Sequence, residues 1–143
     1  MPSTEKELSL LVVDDHKMFC QAIQNSLKQN LNIKEVEIAF DGEEAVAMMR
    51  EYQFDVIFMD YKMKHMNGDE AARRILELYP HIKIIAISMF EDKETVEAMF
   101  SAGCLGYVLK TSSIETLNEA IDKICAGEKY IDPVIFNTTS LLK

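Results

Sequence analysis

The sequence has little of what marks disulfide-rich or metal-stapled proteins. It contains no tryptophan, and only three prolines, five glycines and three cysteines occur among its 143 residues. The cysteines, Cys20, Cys104 and Cys125, are odd in number and form no CxxC pair, so they indicate neither a zinc site nor a redox pair. We therefore expect buried, reduced thiols in a cytoplasmic protein.

Long apolar runs and an excess of basic residues are also missing. No apolar run approaches the roughly 20 residues of a membrane span, and residues 1–10 lack the pattern of a secretory signal. Acids outnumber bases by 24 to 15, which gives a net charge of −9. This argues against a chain that mainly holds nucleic acid, because phosphate contacts need clustered Lys and Arg. The apolar content of 48% fits one globular domain without a membrane partner.

A short apolar run that ends in an acid stands near the middle of the chain. In Phe54–Asp60 (FDVIFMD), four apolar residues lead directly to the carboxylate of Asp60. An uninterrupted run of this length is typical of a strand buried on both faces of a sheet. The chain then passes through Asn67-Gly68 into a helical pattern. Because open α/β sheets place their chemistry at the carboxyl ends of strands, we interpret Asp60 as the reactive residue.

Segments typical of strands and of helices alternate along the whole chain. Lys34–Phe40 alternates apolar and acidic residues, which predicts an edge strand. The other predicted strands are Leu8–Val13, Phe54–Asp60, Ile82–Ile87 and Cys104–Leu109. A helix is predicted after each strand, with the clearest apolar stripe at Ile114, Leu117, Ile121 and Ile124. Five strand–helix repeats predict an α/β fold, a doubly wound five-stranded parallel sheet with helices on both faces.

Polar residues stand where four of these strands end, namely Asp14 and Asp15, Asp60, Ser88 and Lys110. All carboxyl ends of a parallel sheet lie at one edge, so these side chains are expected to meet. Carboxylates packed this closely repel one another, and a divalent cation such as Mg2+ removes the conflict. A carboxylate beside that ion can accept a phosphoryl group, with Lys110 and Ser88 as partners for its oxygens.

Four segments carry a resemblance to a known family. The pieces LLVVDDH, FDVIFMDYKMKHMNG, IIAIS and GYVLK occur in the order and spacing of bacterial response-regulator receiver domains. The chain resembles this family over residues 8–126, and the resemblance implies the strand order 2-1-3-4-5 of a CheY-like fold. It also implies that a sensor histidine kinase phosphorylates Asp60 with Mg2+ as cofactor.

The same resemblance implies a role for each remaining site residue. Magnesium would be held by Asp15, Asp60 and the backbone carbonyl of Lys62, with Asp14 acting mostly through water. The phosphoryl group would be bound by Ser88, Lys110 and the backbone of Met89, and Ser88 and Tyr107 would form the conformational switch. Three positions depart from the family pattern, and they are Lys64, Met89 and Thr111.

The ends of the chain bear on its domain organisation. DDH and GEKYIDP are similar to segments of receivers that precede a helix-turn-helix DNA-binding domain, as in NarL/LuxR-type regulators. Sixteen residues follow Gly127, too few for such a domain. We expect a disordered segment at residues 1–7, a receiver domain at 8–126 and a linker or tail at 127–143. A piece of a longer transcription regulator is favoured over a stand-alone receiver that acts by protein contact, and phosphorylation is expected to permit a homodimer.

Other interpretations of these residues are available. An aspartate-nucleophile phosphohydrolase would carry a second acid two residues after Asp60, where Lys62 stands. A flavin module would need a phosphate loop rich in Ser, Thr and Gly, where DDHKMF stands. Structural roles are also possible: Asp14, Asp15 and Ser88 as helix caps, Lys110 as a surface base and Tyr107 as core. The sequence therefore predicts a phosphoacceptor that is not an enzyme.

Overall fold

Six strands alternate with six helices in the part of the chain that the structure describes. The structure is a computed structural model that describes residues 7–138, with side chains described to residue 135, so most of the predicted disordered N-terminus and residues 139–143 lie outside it. The strands are β1 (Leu8–Val13), β2 (Ile33–Ala39), β3 (Val56–Asp60), β4 (Lys83–Ser88), β5 (Gly106–Leu109) and β6 (Tyr130–Ile131). The helices are α1 (Lys17–Leu27), α2 (Gly42–Glu51), α3 (Gly68–Leu78), α4 (Lys93–Ser101), α5 (Ile114–Cys125) and α6 (Pro133–Thr138).

The strands form one parallel sheet in the order β2-β1-β3-β4-β5-β6. The predicted α/β class and the order 2-1-3-4-5 are confirmed, and β2 lies at an edge as its acidic alternation predicts. The predicted number of five strands is wrong, because β6 pairs with β5 through Gly106 and Tyr107. A strand of two residues is too short to show a period in sequence, so only the pairing reveals it.

Helices cover both faces of the sheet, and this explains the uninterrupted apolar run of β3. All five residues of β3 are buried. Ile57 and Met59 pack into the core shared with α2, α3 and α4. Val56 and Phe58 pack into the core shared with α1 and α5. Successive side chains of a strand point to opposite faces, so a central strand needs apolar residues at every position.

Some large apolar side chains at the ends of elements are exposed. Tyr52, Leu78 and Phe40 each lie at or just beyond the end of an element, and each is at least one-third exposed. Cys20 and Cys104 are buried as expected, whereas Cys125 is exposed at the last residue of α5. Side chains at the ends of elements reach solvent because the neighbouring layer does not extend over them.

The segment after α5 packs against the domain. Tyr130 is 8% exposed and Ile135 is completely buried. Ile135 belongs to the same apolar cluster as Tyr107, Val96 and Met99. The residues from β6 to Ile135 therefore extend the core beyond the predicted boundary at residue 126. Within residues 7–138, no helix combines the length and apolar character needed to cross a membrane.

Candidate functional site

The predicted site residues lie together at the carboxyl edge of the sheet. Asp14 and Asp15 follow β1, Asp60 ends β3, Ser88 ends β4 and Lys110 follows β5. Asp14, Asp60 and Ser88 are buried, with exposed fractions of 0%, 2% and 0%. The order β2-β1-β3 changes the direction of winding between β1 and β3, and the three acids flank this switch point. Open α/β sheets bind their ligands at such a point.

Lys110 joins the buried acids. Its Nζ lies 2.6 Å from Oδ2 of Asp14 and 3.2 Å from Oδ2 of Asp60. Its side chain is only 7% exposed, so the ammonium is not a surface base. The backbone N–H of Lys110 donates to the carbonyl of Ser88 at 2.9 Å, which ties the ends of β4 and β5 together. The predicted convergence of Asp14, Asp60, Ser88 and Lys110 is therefore observed.

Burial and a second acid dominate the electrostatics of Asp60. Desolvation and then the negative charge of Asp14 raise the pKa of its carboxyl, Lys110 opposes both effects, and the net result is a pKa raised from 3.8 to about 7. Both Oδ2 atoms are buried, and the two acids share the single ammonium of Lys110 as the ion-pair partner of these oxygens. Two buried carboxylate oxygens with one shared ammonium leave the pocket short of positive charge and of donors.

A divalent cation would meet this need. Oxygen or nitrogen atoms of Asp14, Asp15, His16 and Asp60 all lie within 4.8 Å of one another. Three of these four residues are carboxylates, and oxygen ligands suit hard cations such as Mg2+. The two buried Oδ2 atoms, which share one ammonium, point to the same use. The residues present therefore fit the cation that the sequence predicts.

His16 contacts the site, although no role was predicted for it. Its Nδ1 lies 3.0 Å from Oδ1 of Asp14, 3.5 Å from Oδ1 of Asp15 and 3.3 Å from Nζ of Lys110. Its backbone N–H also donates to Oδ1 of Asp14 at 2.9 Å. One feature of the sequence could have indicated this contact. His16 directly follows Asp14 and Asp15, and it is the N-cap residue of α1.

Phe19 is a second residue that sequence analysis did not assign to the site. Its ring centroid lies 4.9 Å from Nζ of Lys110, within the range of a cation–π contact. Phe19 lies on α1 and packs, partly buried, against the apolar cluster that α1 and α5 share with the sheet. The sequence could not show that the ammonium of Lys110, a residue 91 positions away, lies over this ring.

The loop from β3 to α3 closes over Asp60. The N–H of Gly68 donates to the carbonyl of Tyr61 at 2.6 Å, and a Cβ atom at Gly68 would lie 2.0 Å from the carbonyl oxygen of Asp60. Only glycine permits this approach. On the other side of the loop, the N–H of Lys64 donates to Oδ2 of Asp15 at 3.1 Å. Thus the backbone of Lys64, one of the departures from the family pattern, contacts the acidic cluster.

Ser88 and Tyr107 are connected through the loop that follows β4. The hydroxyl oxygen of Ser88 accepts a hydrogen bond from the N–H of Phe90 at 3.0 Å. The hydroxyl of Tyr107 donates to the carbonyl of Phe90 at 2.7 Å, and the Tyr107 residue is completely buried. Burial raises the pKa of the Tyr107 hydroxyl to about 12. Ser88 and Tyr107 are therefore both bonded to the backbone of Phe90, one to its N–H and the other to its carbonyl.

Two predicted site residues lie in loops and are exposed. Lys62 is the second residue after Asp60, in the loop between β3 and α3. Met89 directly follows Ser88 and is 61% exposed, so its side chain lies at the surface of the site. The roles predicted for the carbonyl of Lys62 and the backbone of Met89 stay predictions.

Fold and site together define a class of protein, the doubly wound α/β domains that carry an acidic pocket at the switch point of a parallel sheet. The chain belongs to the response regulator receiver domain family, whose model matches residues 10–122.

Relatives of known name agree with this family. The transcriptional regulatory protein DegU of Brevibacillus brevis is 32% identical over 139 residues, which are 97% of this chain and 58% of DegU. The response regulator VraR of Staphylococcus aureus is 36% identical over 129 residues, which are 90% of this chain and 61% of VraR. The chain therefore spans about three-fifths of the length of these relatives.

A solved structure gives the same result. A LuxR-family two-component response regulator from Aurantimonas sp. SI85-9A1 superposes with a TM-score of 0.87 at 28% identity. The match covers 92% of this chain and 94% of that chain. The predicted resemblance to receivers of NarL/LuxR-type regulators is thereby confirmed.

Proposed function

We propose that Asp60 accepts a phosphoryl group from a sensor histidine kinase and that this modification switches a signalling output. The supporting observation is the burial of Asp60 between Asp14 and Lys110, where its Oδ2 pairs with the Lys110 ammonium at 3.2 Å. A carboxylate in this setting is suited to nucleophilic attack on a phosphoryl donor. One oxygen of Asp60 forms a bond to phosphorus, and the donor's nitrogen leaves with the electron pair.

The other site residues have supporting roles in this proposal. Asp15, Asp60 and the carbonyl of Lys62 would hold Mg2+, with Asp14 acting mostly through water. When bound, this ion supplies positive charge that keeps the Asp60 carboxylate ionised and neutralises charge on the transferred group. Lys110, the hydroxyl of Ser88 and the backbone N–H of Met89 bind the phosphoryl oxygens. Lys110 already lies 3.2 Å from Asp60, so a short movement of its ammonium brings it to the new group.

The switch uses the bonds to Phe90. A phosphoryl oxygen on Asp60 accepts the O–H of Ser88, and rotation of this hydroxyl toward the site moves its oxygen away from the N–H of Phe90. The loop after β4 and the buried ring of Tyr107 then adjust together, because Ser88 and Tyr107 are both hydrogen-bonded to Phe90 in that loop. Such loop rearrangements are a common response to phosphorylation. Backbone resonances of Phe90 that do not move on adding beryllofluoride, a phosphoryl mimic, would contradict this coupling.

We propose a phosphoacceptor rather than a phosphohydrolase. A hydrolase on this sheet would need a general acid near Asp60, and the residue two positions later is Lys62. Lysine at that position supplies charge but does not fit the general-acid role of a second aspartate. Turnover of a small phosphate ester by the purified chain would contradict this assignment.

The output and partners are proposed from the relatives. Because the chain spans about three-fifths of their length, we propose that the full-length protein carries an output domain that controls transcription, as the name of DegU indicates for that protein. The net charge of −9 supports DNA contact through such a domain rather than through this chain. We propose that the kinase reaction and the output take place in the cytoplasm.

Phosphorylation is proposed to favour a homodimer through α1 and α5. These helices are neighbours in this chain, since Asn30, just after α1, donates its side-chain N–H to the oxygen of Asn118 in α5 at 2.8 Å. Sedimentation with and without beryllofluoride tests the proposal. Identical profiles would rule the dimer out.

The central test is transfer from a small phosphoryl donor. Acetyl phosphate and Mg2+ are expected to add one PO3 group to the intact chain, and Asp60→Asn is expected to abolish the addition because an amide is a poor nucleophile. Intact-protein mass spectrometry measures the added group, and chelation of Mg2+ should prevent it.

The matched control is Asp122→Asn, which changes an exposed acid on α5 in the same way. This variant should be labelled like the unchanged chain. Labelling that persists in Asp60→Asn, or labelling that is lost equally in Asp122→Asn, would place the acceptor elsewhere.

A further inference from the structure

Asp132 is a buried acid outside the site described above. It lies between β6 and α6, and only 1% of it is exposed. Its Oδ1 accepts the N–H of Val134 at 3.0 Å, as expected for a residue that caps α6. Its Oδ2 accepts the N–H of Leu109 at 3.0 Å and also the hydroxyl of Ser112. The carboxylate therefore serves two different parts of the chain with its two oxygens.

The bonds to Oδ2 lie on both sides of Lys110. Leu109 directly precedes Lys110, and Ser112 is the second residue after it. On its other side, the backbone of Lys110 is bonded to Ser88 of β4. The peptide that carries the Lys110 ammonium is thus held between β4 and Asp132. A movement of Asp132 would displace this peptide and with it the ammonium between Asp14 and Asp60.

Asp132 reaches this position only when the C-terminal segment Tyr130–Ile135 is docked. The backbone N–H of Asp132 donates to the carbonyl of Tyr107 at 2.8 Å, and that of Tyr130 donates to the carbonyl of Leu105 at 3.1 Å. The hydroxyl of Tyr130 donates to Oε1 of Glu119 on α5 at 3.1 Å. Burial of Tyr130 and Ile135 adds an apolar contribution to docking.

We propose that Asp132 is a positioning residue for Lys110, so that the docked C-terminal segment is part of the phosphoryl-binding site. Docking of the segment and binding of a phosphoryl group at Asp60 then stabilise each other, since coupling between two sites is reciprocal. This proposal rests on the proposed function of Asp60. Phosphorylation of Asp60 would then directly affect the docking of the C-terminal segment. In a longer relative, this segment leads to the rest of the protein.

The capping role and the positioning role of Asp132 can be separated. Asp132→Asn keeps one oxygen for the N–H of Val134, but its amide nitrogen cannot accept the N–H of Leu109. Ser112→Ala removes only the hydroxyl bond to Oδ2, and Ser112→Thr restores a hydroxyl at that place. Val134→Ala is the control, because Val134 is 49% exposed in the same segment.

The first measurement is the affinity for beryllofluoride in the presence of Mg2+, followed by fluorine NMR. We expect Asp132→Asn to weaken binding by about tenfold, within the usual range of coupling between sites. Ser112→Ala should weaken it by a smaller factor, Ser112→Thr should recover it, and Val134→Ala should leave it unchanged. The second measurement is amide exchange at residues 130–135, which beryllofluoride should slow in the unchanged chain and not in Asp132→Asn.

The outcomes distinguish this proposal from the one on which it rests. Failure of the unchanged chain to bind beryllofluoride would overturn the proposed function and this inference with it. Normal binding with equal affinity in the unchanged chain, Asp132→Asn and Ser112→Ala would overturn the inference alone. Exchange at residues 130–135 that ignores beryllofluoride would also overturn it. If Asp132→Asn does not fold, Ser112→Ala and Ser112→Thr decide the matter.

Discussion

Asp60 is held in a position that disfavours its own charge. The residue is 2% exposed, and its nearest acidic neighbour, Asp14, is completely buried. Desolvation and the charge of Asp14 raise the pKa of Asp60 to about 7, although Lys110 lowers it. The residue that we propose as nucleophile is therefore destabilising as an anion until a cation reaches it.

This arrangement predicts a pH dependence of stability without added metal. The pKa of Asp60 is higher in the folded chain than its usual 3.8, so the folded state binds the proton more tightly. The free energy of unfolding should fall as the pH rises from about 4 to about 7. Asp60→Asn removes the titrating group, and above this window it should be more stable than the unchanged chain by on the order of 2–4 kcal/mol. Urea denaturation with a chelator present measures both effects.

Asp122→Asn again provides the control, because its exposed carboxyl should leave the pH profile unchanged. Parallel profiles for Asp60→Asn and the unchanged chain across this pH range would show that Asp60 does not cause the expected change in the free energy of unfolding.

At the scale of elements, the carboxyl edge of the sheet is shaped by short loops whose backbone comes very close to the acids. The loop from β3 to α3 is the tightest case. Its Gly68 lies so near Asp60 that a Cβ atom would collide with a backbone oxygen rather than with a flexible side chain. Neither partner in that contact can rotate away, so the loop and the end of β3 must move together.

Gly68→Ala is therefore expected to damage both fold and site. The added methyl group would lie 2.0 Å from the carbonyl oxygen of Asp60, and overpacking of this kind costs about 1–3 kcal/mol of stability. The displaced end of β3 should also reduce labelling of Asp60 by acetyl phosphate. Urea denaturation and mass spectrometry measure the two effects.

Gly127→Asn is the comparison for this variant. Gly127 has a φ of +88°, which asparagine tolerates better than most residues, and no atom lies within 4 Å of the place of its Cβ. It should keep normal labelling. Normal stability and labelling in Gly68→Ala would show that the β3–α3 loop is looser than the structure indicates.

At the scale of the whole molecule, the domain includes the segment that sequence analysis assigned to a linker or tail. β6 extends the sheet beyond β5, and Ile135 shares an apolar cluster with residues of α4 and with Tyr107. A segment held in this way should unfold together with the sheet rather than separately.

Ile135→Ala tests whether the segment belongs to the cooperative unit. Ile135 is completely buried, so its truncation should lower the free energy of unfolding by about 2–5 kcal/mol. Val134→Ala, which shortens a side chain that is 49% exposed, should change it by about 0.5 kcal/mol or less. Urea denaturation followed by far-UV circular dichroism gives both values.

A single transition is expected for both variants. A loss below 1 kcal/mol in Ile135→Ala, roughly the size of a surface effect, would mean that the segment contributes little to the fold. A separate early transition would mean that it unfolds on its own.

Much of this molecule follows from local pattern. The burial of β3, the edge position of β2 and the bounds of β1 were all predicted. A strand buried on both faces has an unbroken apolar run, and an edge strand alternates apolar and polar residues, so each leaves a local pattern in the sequence. The residues at the strand ends were predicted because parallel topology fixes which ends meet. Asp132 and Pro133 did carry a helix-start signal, since an acid before proline is typical of an N-cap.

The sequence by itself determined the layering of the fold and the identity of the acids, Ser88 and Lys110 at its carboxyl edge. Only the tertiary structure decided that Asp132 accepts hydrogen bonds from Leu109 and Ser112, on either side of Lys110. It also decided that Phe19 lies against the Lys110 ammonium and that β6 joins the sheet. The physical reason is that periodicity reports how each element meets solvent and core. Contacts between side chains far apart in the chain depend on how the packed elements are placed, and no local pattern records that.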